Sequence, residues 1–136
     1  MKKNLFAALI CVLAAAAAAQ DYALYDRPTE SGGISITGKR FSLNTASQRG
    51  NLCDLEGSIQ NKEYRDGKGC VVRFRFSGKD RVELEVPESA QIACREYCGL
   101  NAGFTGSYAV LPAACTEQGG QAAEKRFQTA YRAKQY

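Results

Sequence analysis

The chain predicts a mainly β fold of the α+β kind: a small antiparallel sheet or barrel, a short cysteine-bearing helix and a C-terminal helix. Three observations carry this. From Ile34 to Val110 apolar and polar residues mostly alternate with a period of 2, in short runs separated by turn residues. Five cysteines, Cys53, Cys70, Cys94, Cys98 and Cys115, fall within or just after those runs. Beyond Gly119 and Gly120 the apolar period changes to that of a helix.

Residues 1–19 read as a cleavable leader. Lys2 and Lys3 give a positive start, Leu5 to Ala19 is uninterrupted apolar, and Ala17 and Ala19 suit signal peptidase. A membrane anchor needs roughly 20 apolar residues, and here Gln20, Asp21 and Tyr22 follow at once. A lipoprotein signal at Cys11 is disfavoured by bulky Ile10 and by the apolar residues after it. Cys11 then leaves with the leader, and five cysteines remain. An exported chain with this cysteine content belongs in an oxidising compartment, periplasmic or extracellular, where disulfides reinforce the fold.

Lys2 and Lys3 are the leader's only charges, so its removal lowers the net charge from +4 to +2. Positive and negative residues interleave along the remainder, without the clustered basic face that nucleic acid or an anionic membrane attracts. No nucleic-acid partner and no stable membrane insertion after leader removal are expected. One domain is expected, large enough to bury a real core.

Gln20 to Gly33 is polar, contains Pro28 and ends in "TESGG", which reads as a flexible lead-in. The β domain is assigned to residues 34–116. In "ISITGKRFSL" a two-residue turn at Gly38 and Lys39 pairs Ile36 with Phe41 and Ile34 with Leu43, and glycine at the first central position suits a type II′ turn. In "LCDLEGSIQ", Cys53, Leu55, Gly57 and Ile59 face inward. After the turn at Asp66 and Gly67, "GCVVRFRF" continues with Cys70, Val72, Phe74 and Phe76 on one face. Cys53 and Cys70 share the inward set, which favours a sheet disulfide between them, its geometry being set by the approach of the two Cβ atoms.

Placing Phe76 opposite Val82 puts Phe74 opposite Leu84 and Val72 opposite Val86, with Arg75 facing Glu83 and Arg73 facing Glu85. Apolar meets apolar and opposite charges meet on the other face. Glu83 and Glu85 therefore read as a solvated face rather than an acid–base pair. Pro87 ends the strand, and "ESAQIACREYCG" suits a short helix with Ser89 as cap, Gly99 as its left-handed end, and Cys94 and Cys98 one turn apart. That C-x-x-x-C spacing differs from the C-x-x-C of redox pairs, so each cysteine is expected to bridge to another segment. A last strand, "SYAVL", stops at Pro112. Five cysteines with one left over permit fifteen pairings, and one of Cys94, Cys98 and Cys115 is expected to stay free or to pair outside the chain. Residues 117–136 form the C-terminal helix, with Ala123, Phe127, Ala130 and Tyr131 along one side for packing on the sheet or on a partner.

The chain has no histidine. Histidine-dependent nucleophile pairs are excluded, and zinc ligand sets shrink to cysteines that an oxidising compartment consumes. Asp54, Glu56 and Asp66 show no second partner for carboxylate chemistry. The expectation is a protein without catalytic residues, cofactor or metal. Its candidate binding residues are Tyr97, Phe104, Thr105 and Tyr108, because aromatics on a glycine-flanked loop give contact area at small entropic cost. The competing reading places Phe104 and Tyr108 in the core.

"GNLCDLEG", "GCVVRFRF", "ACREYCG" and "FTGSY", followed by a cysteine and a helix with Phe127 and Tyr131, resemble a family of small exported proteobacterial proteins with no established activity. The resemblance covers roughly residues 50 to 136 and implies a further cysteine-bearing segment after the last helix, which would supply the odd cysteine's partner. At the level of fold class and compartment the chain is also similar to bacterial inhibitors of c-type lysozyme, with "FTGSY" a distant echo of their "SGxxY" loops. These readings imply a binding or inhibitory module of the bacterial envelope acting on an envelope protein or glycan. The alternative is an assembly component that docks through its C-terminal helix.

Overall fold

The computed structural model describes residues 17–134. Most of the expected leader, residues 1–16, and the last two residues lie outside the described part. Eight antiparallel strands, β1 (Gln20–Leu24), β2 (Glu30–Thr37), β3 (Arg40–Ser47), β4 (Leu52–Ser58), β5 (Glu63–Arg65), β6 (Val71–Ser77), β7 (Arg81–Glu85) and β8 (Gly106–Val110), form one sheet in the order β4-β3-β2-β1-β8-β7-β6-β5. The first and last strands pair with each other. The sheet is thus a nearly closed up-and-down barrel whose opening lies between the middle strands, β4 and β5.

The two hairpins read from alternation have the expected registers. Ile36 pairs with Phe41 and Ile34 with Leu43 around Gly38; Phe76 pairs with Val82, Phe74 with Leu84, Arg75 with Glu83 and Arg73 with Glu85. Ile34, Phe41, Leu43, Phe74, Val82 and Leu84 all lie in the core. The β6–β7 ladder stops at Arg73 and Glu85, so the expected pairing of Val72 with Val86 is absent; on its other side Val72 pairs with Tyr64 of β5. On the outer face Arg75 reaches both Glu83 (3.6 Å) and Glu85 (3.2 Å), while Arg73 turns to Glu63 (3.4 Å). These pairs are solvent-exposed and contribute little stability.

The supposed lead-in is part of the barrel. β1 lies between β2 and β8, with Tyr22 buried in the core and its hydroxyl donating to the Lys79 carbonyl at 3.2 Å. "SGG" resembles a linker because it lacks side chains, but the same lack allows close strand packing. A Cβ on Gly33 would stand 2.5 Å from the Tyr22 carbonyl oxygen.

At the opening, Asn61 and Lys62 make a two-residue turn with positive φ, and Gln60 and Glu63 exchange backbone hydrogen bonds of 2.8 and 3.0 Å. Beyond that turn the arms diverge: Ile59 N–H donates to Lys39 at 2.6 Å while β5 pairs with β6. Tyr64 fills the gap. Its ring lies edge-on to Phe41 (5.3 Å) and crosses Gly57, where a Cβ would come within 2.4 Å of it.

The far end of the gap is crossed by a 3-10 turn (Glu88–Ala90), helix α1 (Gln91–Cys94) and a second 3-10 turn (Arg95–Tyr97). Two disulfides fasten this segment, Cys53–Cys98 to β4 and Cys70–Cys94 to the start of β6. The expected Cys53–Cys70 bridge is therefore incorrect. Both sulfurs are inward and fully buried, but β4 and β6 are not neighbours, and alternation reports a residue's face without reporting its neighbour.

The expected single helix is also revised. Pro87 precedes the first turn with no side-chain cap, Ser89 lies inside that turn, and Cys98 is extended (φ −127°, ψ 146°) as it bridges to Cys53. Asn101, not Gly99, is the left-handed residue. Cys115 is the free, exposed cysteine among the described residues. Two disulfides point to an oxidising, non-cytoplasmic environment.

Helix α2 (Glu117–Arg132) begins at Thr116, whose hydroxyl accepts from Gly119 N–H at 3.1 Å. It packs on the turn Ala113–Cys115 and buries none of its residues. Of the two expected placements, on the sheet or on a partner, the helix does not pack on the sheet: Phe127 is 63% exposed and stacks on Tyr131 at 6.1 Å. Among the described residues no helix is long and apolar enough to cross a membrane.

Candidate functional site

The loop before β8 is held by an unusual set of bonds. Thr45 Oγ1 donates to the Gly103 carbonyl at 2.8 Å, the Tyr108 hydroxyl donates to the Phe104 carbonyl, and Arg27 Nη1 donates to both the Thr105 carbonyl and Oγ1 at 3.4 Å. Three consecutive carbonyls are thus fixed by side chains from three other places in the fold. Thr45 and Tyr108 are fully buried, and the Tyr108 bond to Phe104 is shielded from water. The glycine-flanked loop is thus fastened to the barrel.

Opposite the loop stands the disulfide-fastened segment. Between them is an open cleft of about 200 Å³ lined by Val86, Gln91, Cys94, Arg95, Cys98, Ala102, Gly103, Phe104 and Thr105. Leu100 lines the adjoining depression, and Ile92 sits on α1 beside Gln91; they are 79% and 81% exposed. Arg27 is engaged by Glu30, with Nε and Nη2 each 3.2 Å from a carboxylate oxygen, and Glu30 also accepts from Thr29 at 2.9 Å. Arg95, by contrast, has no ion-pair partner among the described residues. It is the cleft's uncompensated charge.

Of the sequence-nominated residues, Thr105 lines the cleft with its side chain half-exposed, and Phe104 forms part of the cleft wall from a buried position. Tyr108 lies in the core, where burial raises its hydroxyl above the ordinary tyrosine range. Phe104 and Tyr108 are thus core residues, as the competing reading of the sequence placed them, and they position the loop. Tyr97 is half-buried outside the cleft, donating to Asp66 Oδ2 at 2.7 Å.

Asp66 Oδ1 also accepts from the Lys68 and Cys70 amides at 2.7 and 3.0 Å, so this carboxylate ties the β5–β6 turn to the segment carrying Cys94 and Cys98. Its pKa is lowered, first by the Tyr97 hydrogen bond, against a smaller opposing effect of burial. The same bond, with burial second, raises the Tyr97 hydroxyl above the ordinary tyrosine range. A depressed carboxylate stabilises the fold above its unfolded pKa of about 3.9, and the contribution disappears as pH falls through the lower folded value. Asp66→Asn is expected to lower the melting temperature at pH 7, with the difference from wild type closing in acid below about pH 4. Thermal melts across that range test this; a difference independent of pH would contradict it.

Thr45, Arg27 and Arg95 were not nominated from sequence. Thr45 did leave a trace, since Phe41, Leu43 and Thr45 are successive inward positions and an inward hydroxyl requires a buried acceptor. Arg27 lay in the supposed lead-in, and Arg95 is one of many charged residues without a distinguishing pattern. Asp26 accepts from Ser107 N–H at 2.8 Å; burial pushes its pKa up, and the Ser107 hydrogen bonds and nearby Arg27 outweigh that to give a net lowering. Among the described residues there is no cluster of three or more His, Cys, Asp or Glu side chains suited to a metal ion. No protein-family model matches the chain, and no curated protein or solved structure matches it.

Proposed function

We propose that this is an exported, non-catalytic binding or inhibitory module of the bacterial envelope, periplasmic or extracellular, which engages an envelope protein or glycan through the cleft between α1 and residues 102–105. The observation that carries this is the fixation of the Gly103, Phe104 and Thr105 carbonyls opposite a segment held by two disulfides. Both walls are fastened to the barrel by bonds within the chain, and a preorganised surface loses less entropy on binding. The carboxylates beside the cleft are already engaged, Glu30 by Arg27 and Asp26 by Ser107. That favours recognition over acid–base work.

A second reading rests on α2, which buries none of its residues and leaves Phe127 exposed. Such a helix suits docking on a larger envelope complex. Capture from envelope extracts separates the two readings. Ala102→Phe, which obstructs the cleft, is expected to abolish capture, while truncation after Thr116 is expected to retain it. The reverse outcome transfers the function to α2. Inhibition of lysozyme at molar excess is a direct assay for the inhibitor form of the first reading.

A further inference from the structure

We infer that the cleft receives one large apolar side chain that stands next to an acidic side chain on a loop of a partner protein. The inference rests on the cleft reading above and names its occupant. Size comes first. A volume of about 200 Å³ is room for several waters at about 30 Å³ each, which matches one large side chain better than an extended chain of sugars or a folded element.

The lining gives the occupant's polarity. Val86, Ala102, Phe104 and the Cys94 and Cys98 positions form an apolar wall, and the Gly103, Phe104 and Thr105 carbonyls already have donors. The cleft therefore offers few free acceptors to a polyol. Its surroundings agree. Glycan recognition favours flat exposed aromatic faces, whereas the neighbouring exposed residues are the aliphatic Ile92 and Leu100. Exposed aliphatic residues on a fixed scaffold suit the apolar part of a protein interface.

Charge supplies the second element. The rim has two arginines, but Glu30 holds Arg27, and only Arg95 is left to meet an incoming anion. Arg95 lines both the cleft and the adjoining depression beside Leu100, so a carboxylate adjacent to the inserted side chain would reach it. A guanidinium can donate two parallel hydrogen bonds to such a group, giving orientation as well as attraction.

The test uses the folded, disulfide-bonded protein and blocked dipeptides, followed by amide chemical shifts. N-acetyl-Asp-Phe-amide is expected to shift the amides of Cys94–Cys98 and Ala102–Thr105 with a millimolar dissociation constant, as suits a ligand of this size. N-acetyl-Asn-Phe-amide is expected to bind about threefold more weakly, as for an exposed ion pair, and N-acetyl-Asp-Ala-amide not at all. Arg95→Gln, at an exposed position that leaves the core intact, is expected to erase the difference between the Asp and Asn probes. Equal shifts with the Ala probe, or an Asp preference that survives in Arg95→Gln, would overturn the inference. Tighter binding of N-acetyl-phenylalanine would also overturn it, by pointing to a chain terminus as the occupant. If Ala102→Phe abolishes envelope capture but none of these dipeptides binds, the cleft reading stands and only its occupant is wrong.

Discussion

Reduction of the two disulfides is expected to bring the domain to the edge of unfolding, with β4 and β5 exposed first. The Cys53–Cys98 bridge spans 45 residues and Cys70–Cys94 spans 24. In the chain-entropy model loops of those lengths contribute about 4 and about 3.5 kcal/mol. One loop lies inside the other, so the contributions overlap. Even so, either is large against a total stability of about 5–15 kcal/mol.

The topology makes the loss local at first. Between β4 and β5 the ladder consists of the Gln60–Glu63 bridge, and the rest of the seam depends on Tyr64 and on the segment that both disulfides fasten. β1, β2, β3, β6, β7 and β8 have paired neighbours on both sides. Hydrogen exchange under reducing conditions should therefore show protection falling in residues 52–65 before it falls in 20–47 or 71–85. Uniform loss would mean that the seam is no weaker than the ladder. In urea, the double replacement of Cys53 and Cys98 by Ala should lower the unfolding midpoint more than replacement of Cys70 and Cys94.

Tyr108→Phe is the second large effect. The substitution removes a single oxygen and keeps the ring that fills the core, but the Phe104 carbonyl, whose residue is buried, loses its donor. An orphaned buried acceptor costs about 1–3 kcal/mol, whereas Tyr97→Phe acts at a half-buried site that water can reach and should cost less. Urea unfolding is expected to show a lower midpoint at unchanged slope for Tyr108→Phe. Faster amide exchange at residues 102–106 should accompany it. A Tyr108→Phe protein as stable as wild type would remove the argument that the loop is fixed from below.

The sequence was most informative where side-chain alternation and turn residues acted together. The Ile34–Leu43 and Phe74–Leu84 registers follow because a slip of one residue would turn every apolar side chain of a strand toward water. It was least informative where neighbours mattered. Cys53 and Cys70 share the inward face, yet their bridge partners come from a segment that crosses the barrel opening. "TESGG" has the composition of a linker, and its place beside β1 and β3 is a matter of close approach between backbones. Phe104 was nominated for exposure on the strength of flanking glycines; its carbonyl is held by a tyrosine four residues on, and its ring lies in the core.

Sequence by itself determined the fold class, both principal hairpins and the start of the last helix. Those properties depend on local periodicity and turn chemistry. Tertiary structure alone decided that the barrel closes through β1 and β8, that its opening between β4 and β5 is crossed by a segment fastened by two disulfides, and that the loop at 102–105 forms one wall of a cleft. Each of these depends on which segments become neighbours, and that is settled by burying Tyr22 and Tyr108 and packing Tyr64 against the core, together with the bonds their positions permit.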